Sequence, residues 1–188
     1  MPFVQIQYDD IYFDPKVQEM CISPGFKCPF YGHSWSCPPN APYLEKELST
    51  YSEFYLICSI FDLETYIKKE KERTNRSEFY IKNTFFLTNT FESRDLENEF
   101  EKFLAQYNKE HKKRRLLSDG TCKYCKIQNA GNCTFDTGEP CRYPKEKRFS
   151  MEAIGIEVIR TVLGLKSKLD IEYPSKKNSY RFGLACFK

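Results

Sequence analysis

The chain of 188 residues carries 29 Lys and Arg against 26 Asp and Glu, a net charge of +3, with 40% apolar and 16% aromatic residues. That length can bury about 70% of the unfolded surface in a single domain, expected here over residues 1–188, and the composition is too apolar and aromatic for a disordered chain. So small a charge gives no reason to expect nucleic acid or a membrane as partner.

The opening "MPFVQIQYDD" has no basic start, apolar run or cleavage site, so a secretory leader is not expected. The longest apolar run, Phe54 to Phe61, is too short to span a bilayer. A cytoplasmic location is therefore expected. Nine cysteines in a reducing compartment point to metal or reactive thiols rather than structural disulfides, and an odd count bars complete pairing within the chain.

Residues 21–43 hold Cys21, Cys28 and Cys37 among two glycines and five prolines, which excludes a regular helix or central strand. The stretch reads as a loop that wraps something. "EFYLICSIFDL" follows as a buried strand, with Cys58 as a small apolar core residue. "KKEKER" reads as a solvated helix face or loop, and "FYIKNTFFLTNTF" (Phe79 to Phe91) as a second strand.

From Ser93 the period changes. Leu96, Phe100, Phe103, Leu104, Tyr107 and His111 fall on one helical stripe, with Ser93 as N-cap and the basic Lys112 to Arg115 at the negative end of the dipole. A second helix is expected over "SMEAIGIEVIRTVLGL", capped by Ser150, striped by Met151, Ile154, Val158 and Val162, and ended by Gly164. Gly155 is awkward there, costing about 1 kcal/mol against alanine in mid-helix, and close packing on another backbone would explain it. "SYRFGLACFK" closes the chain as a strand with Cys186 in the core. The expected fold class is α+β: a small, mainly antiparallel sheet, two principal helices and two long cysteine-rich metal-binding loops.

The second of those loops carries Cys122-x2-Cys125-x7-Cys133-x7-Cys141. A Cys-x2-Cys turn brings two thiolates to one centre, and two more arriving on glycine-containing loops complete four-fold coordination, of one Zn²⁺ or of an iron–sulfur cluster. Zinc modules more often oppose two tight cysteine knuckles, and only one is present, so the spacing favours iron–sulfur. Lys123, Lys126, Arg142, Lys145, Lys147 and Arg148 surround the thiols, which suits either anionic centre. The first loop, Cys21-x6-Cys28-x8-Cys37, supplies three thiols. His33 could add a fourth ligand, although hydrogen bonding in its tight loop is the preferred reading. A nucleophilic cysteine would need a neighbouring base, and His33 and His111 are the two histidines available, which makes ligation the better account. Neither the radical-enzyme cysteine triplet nor a phosphate-cradling glycine loop is present.

"CPFYGHSWSCPP" followed by a strand, then "DGTCKYC…C…PCRYP" and "SMEAIGIEV", resembles a prokaryotic family of predicted metal-binding, cysteine-rich proteins of unknown function. The likeness runs from about Cys21 to the C-terminus. It implies that Cys28 and Cys37 belong to the metal-binding set with Cys122, Cys125, Cys133 and Cys141, and that Cys21 matches an upstream cysteine. Here Cys21 stands farther from Cys28, and Cys133 farther from Cys125, than is usual in the family. Members in anaerobic archaea and bacteria suit iron–sulfur chemistry. The expectation is an iron–sulfur protein of [4Fe–4S] type, with one or two centres, passing electrons to a protein redox partner and not itself an enzyme. A zinc-stabilised interaction module is the alternative, and an enzyme using an open cluster iron a second.

Overall fold

The computed structural model describes residues 3–85 and 93–188, with the backbone alone at 93 and 94. Strand β1 (Phe3–Ile6) is followed by the short helix α1 (Lys16–Glu19) and by the two-residue strands β2 (Ile22–Ser23) and β3 (Phe26–Lys27). Helix α2 (Glu45–Leu48) leads into β4 (Glu53–Asp62), then α3 (Leu63–Thr74), α4 (Glu78–Thr84) and α5 (Ser93–Gln106). Next come β5 (Arg114–Ser118), α6 (Tyr124–Ile127), β6 (Phe149–Ser150), α7 (Val158–Gly164) and β7 (Asn178–Phe187).

The main sheet has the order β1-β4-β7-β5-β6, antiparallel throughout except for the parallel β5–β6 pair, so the class is α+β. The long β4 and β7 pair from Glu53 opposite Phe187 to Asp62 opposite Asn178. Successive strand residues point to opposite faces, and both faces here are covered. Phe54, Leu56 and Cys58 pack with Leu184, Cys186, Ile154, Ile156 and Val162, while Tyr55 and Ile57 pack with Phe187 under α5. A strand buried on both sides needs an unbroken apolar run, which "FYLIC" provides. Leu96, Phe100 and Phe103, one turn apart on α5, are almost fully buried against this second face.

The expected stripe from Leu96 is therefore a core-facing helix, whereas the cap assigned to Ser93 rests on a side chain outside the described residues. His111 lies past the end of α5, with its ring edge-on to Phe187 at 5.0 Å. The basic run does not extend the helix: Lys112 and Lys113 donate backbone N–H groups to the Lys188 carbonyl, and Arg114 and Arg115 open β5. "KKEKER" lies on α3.

Two expected elements differ. The stretch from Phe79 forms α4, because Ser77 accepts the Tyr80 N–H at 3.2 Å and Glu78 pairs with Lys82 one turn on. Its aromatic composition suggested a strand, and its remainder to Phe91 lies outside the described residues. The helix expected from Ser150 is broken at Gly155, whose φ is +96°. Ser150 does accept the Ala153 N–H at 3.0 Å, but this caps a single 3-10 turn, Glu152–Ile154. Any Cβ at Gly155 would also run into the Tyr43 ring, so the glycine is required twice over. Ile156 then bridges to Phe13, and α7 starts at Val158. Gly164 lies inside α7, which ends on Leu165 with φ −93° and not on a left-handed glycine.

Candidate metal centre

In the first cysteine loop, Gly25 takes φ +79° to reverse the chain between β2 and β3. The Cys28 N–H then closes on the Cys21 carbonyl at 2.9 Å, setting the two cysteines side by side. Cys37 arrives from the opposite side on a compact turn: its carbonyl accepts the Asn40 and Ala41 N–H groups, each at 3.0 Å, and the residue is buried. Desolvation, and then the neighbouring Cys28 and Cys37 thiols and the Glu152 carboxylate, push Cys21 up to about 11. Glu152 keeps solvent contact although protein encloses its carboxyl on most sides, and that desolvation raises its own pKa.

In the second loop, Cys122 precedes α6 and Cys125 lies within it, so the first helical turn turns both toward one side. The Ala130 N–H bonds the Cys125 carbonyl at 2.8 Å, and Asn129 (φ 53°) and Gly131 (φ 80°) reverse the chain toward Cys133. Arg142 clamps that reversal, donating to the Ala130 and Asn132 carbonyls at 3.0 and 2.8 Å. The Thr134 hydroxyl donates to the Pro140 carbonyl at 2.9 Å, which returns the chain so that Cys141 acts electrostatically on Cys122 together with Cys125. Burial raises the Cys122 pKa, opposed by N–H groups of Arg148 and Tyr124 aimed at its sulfur; the Arg148 nitrogen is 3.4 Å from Sγ.

The two loops, far apart in the chain, are stitched together. The buried Ser36 hydroxyl accepts the Cys122 N–H at 3.1 Å and lies 4.0 Å from the Cys37 sulfur. Trp35 donates its indole N–H to Thr134 Oγ1 at 3.3 Å and meets the Phe135 ring edge-on at 4.9 Å. His33 Nδ1 sits 2.9 Å from Asp136, so this ring nitrogen is turned to a carboxylate, in line with the hydrogen-bonding expectation. Between the loops opens a cleft of about 390 Å³, lined by Cys122, Cys125 and Cys133 on one side and Pro29, Phe30 and His33 on the other.

None of Ser36, Trp35, Thr134 or Asp136 stood out in the sequence. A lone tryptophan inside a proline-rich cysteine loop is the one signal that could have found them, because so large a ring seldom stays in water without a partner. Ser36→Ala should lower stability by about 1–3 kcal/mol, since it leaves the Cys122 N–H without its acceptor at a buried junction. Denaturant unfolding checks this; a loss of a few tenths would show that the junction does not depend on the bond.

The donors fit a soft metal centre: clustered thiols with N–H groups directed at sulfur and the cations Lys123 and Lys126 on the cleft wall. Among the described residues no three His, Cys, Asp or Glu side chains converge on a point that would hold one ion. Cys58 and Cys186 stay apart from both loops, fully in the core, and burial pushes the Cys58 thiol up to about 12. No described helix is long and apolar enough to cross a membrane. A family model described as "Predicted metal-binding protein (DUF2284)" matches residues 4–185 of the chain. No curated protein and no solved structure matches it.

Proposed function

Because the chain belongs to this family of predicted metal-binding proteins, we propose that it is an iron–sulfur protein that hands electrons to a partner enzyme. Cys122, Cys125, Cys133 and Cys141 hold a [4Fe–4S]-type cluster, and Cys21, Cys28 and Cys37 bind or complete a second centre. The supporting observation is the cleft: three of the four downstream thiols open on about 390 Å³ between two loops. A structural zinc ion sits instead in a closed tetrahedral cage with bonds of about 2.3 Å. When bound, the cluster supplies a one-electron couple.

The chain's own residues then set its potential and its access. The Arg148 N–H directed at Cys122 Sγ stabilises the more negative thiolate, which favours the reduced state. Lys123 and Lys126 act in the same direction from the cleft wall. The partial exposure of Cys122, Cys125, Cys133 and Cys141 leaves a short path from the centre to a docked partner. A reducing cytoplasm would keep these thiols available as ligands.

Protein purified without oxygen should be brown, with absorbance near roughly 400 nm that bleaches on reduction. A colourless preparation that carries stoichiometric zinc, even after iron and sulfide have been supplied, would replace this reading with that of a zinc-stabilised interaction module.

A further inference from the structure

On the far side of the second cysteine loop, β5 and β6 are paired only at Leu117 with Phe149 and at Ser118 with Ser150. Upstream of that short parallel ladder the two segments splay apart, leaving a groove of about 570 Å³ between residues 111–116 and 144–148. Seven of its eleven lining residues are Lys or Arg and one is Glu146. The whole chain carries only +3, so positive charge is concentrated here, and a cleft focuses such a field.

Three of the seven cations are committed. Lys113 and Arg115 share Glu47 at 3.0 and 2.6 Å, and Arg148 pairs with Glu97 and Glu146 at 3.3 and 3.7 Å. Lys112, Arg114, Lys145 and Lys147 face no carboxylate at ion-pair distance among the described residues. Lys147 rests over the Phe149 ring at 4.6 Å. We infer that this groove is the docking surface for an extended acidic segment of a partner protein.

Two further observations choose a protein over a nucleic acid or a small phosphate. The lining holds no Phe, Tyr or Trp, so the bases of a single strand would find nothing to stack on. The side of β5 turned away from β7 is paired only at 117 and 118, which leaves strand edge at the groove for a peptide backbone to engage. A small phosphate would need enclosed donors, whereas Lys112, Arg114 and Lys145 are all exposed. The location matters as well. Arg148 lines the groove and donates its backbone N–H to Cys122 Sγ, so a docked segment lies beside the second cysteine loop. Docking itself is independent of the redox reading; only its purpose, electron transfer, rests on it.

The probe is a fluorescent polyglutamate peptide, titrated into the metal-loaded protein and followed by anisotropy. Binding is expected at low ionic strength and should fade as salt rises. The triple variant Lys112→Glu, Arg114→Glu, Lys145→Glu should weaken it on the order of tenfold or more. The charge-matched control Lys69→Glu, Lys166→Glu, Lys176→Glu, at exposed sites without ion pairs, should change it much less. The milder Lys112→Gln, Lys145→Gln pair, which breaks no ion pair, should show the same order at smaller amplitude. Equal loss in the groove and control variants would overturn the assignment. So would absence of binding at low salt, or tighter binding of an oligothymidylate of equal charge. Iron and sulfide are assayed on the same samples. Peptide binding without iron would refute the redox reading and leave the groove, and iron without peptide binding would do the reverse.

Discussion

Stripping the metal should raise the emission of Trp35 and shift it to longer wavelength, while the far-ultraviolet circular dichroism changes little. Trp35 is the sole tryptophan of the chain, and it stands at the junction of the two cysteine loops through Thr134 and Phe135. Between residues 120 and 147 the regular structure amounts to the four-residue α6 and a 3-10 turn at Phe135–Thr137. Hydrogen bonds of about 1 kcal/mol each hold this region, against metal binding on the order of 10 kcal/mol per structural site. Without metal, the thiols of each loop lose their common partner and the junction opens. The sheet does not depend on it, because both of its faces are covered by their own apolar clusters. Emission unchanged after complete removal would mean that the junction stands without metal.

Gly183→Ala should destabilise the fold by about 3 kcal/mol, at the upper end of what overpacking costs. Gly183 lies in β7 opposite Ile57, in the middle of the sheet. A Cβ there would come within 2.6 Å of the Phe100 ring and 2.7 Å of the Leu117 carbonyl oxygen. The ring can tilt, but the carbonyl belongs to β5, held between β7 and β6. For a chain of this size the melting temperature should drop by about 6–12 °C. Adding Phe100→Ala to this variant should cost less than the roughly 3–5 kcal/mol that it costs alone, because the ring is one of the two obstacles. Thermal and denaturant unfolding of the two single variants and the double variant measure this. A loss below about 1 kcal/mol for Gly183→Ala would contradict the close packing of α5 on β7.

The elements that could be read in advance are those whose sequence pattern is set by burial. β4 and β7 are covered on both faces and show unbroken apolar runs, and α5 shows its stripe because one face meets the sheet. β5 was hidden because its first residues, Arg114 and Arg115, border the open groove, where the sheet's environment is water. α4 was obscured by Phe79 and Tyr80, both exposed, whose aromatic character carries no burial information. The break at Gly155 was signalled by the glycine itself, but the Tyr43 ring beside it comes from more than a hundred residues earlier and cannot be inferred locally.

The same limit applies to the candidate site. Cysteine spacing marks Cys122, Cys125, Cys133 and Cys141, and the Cys-Pro-Pro motif marks Cys37, because close-set ligands leave a local trace. The junction leaves none: Ser36 and Cys122 are 86 residues apart, and a single serine hydroxyl has no periodicity. The groove is also a tertiary product, since Lys112–Arg115 and Lys145–Arg148 read separately as solvated charge and become one field only when β5 and β6 pair at their ends.

The most direct test is the iron and acid-labile sulfide content per chain of anaerobically prepared wild type, Cys122→Ser and Cys58→Ser. Cys58 is buried in the sheet core, away from both loops, so its replacement controls for the loss of a thiol. The proposed function predicts iron and sulfide in near-equal amounts in the wild type, unchanged in Cys58→Ser and lost from the downstream centre in Cys122→Ser. Content that does not fall in Cys122→Ser, or metal that is zinc without sulfide, would contradict it.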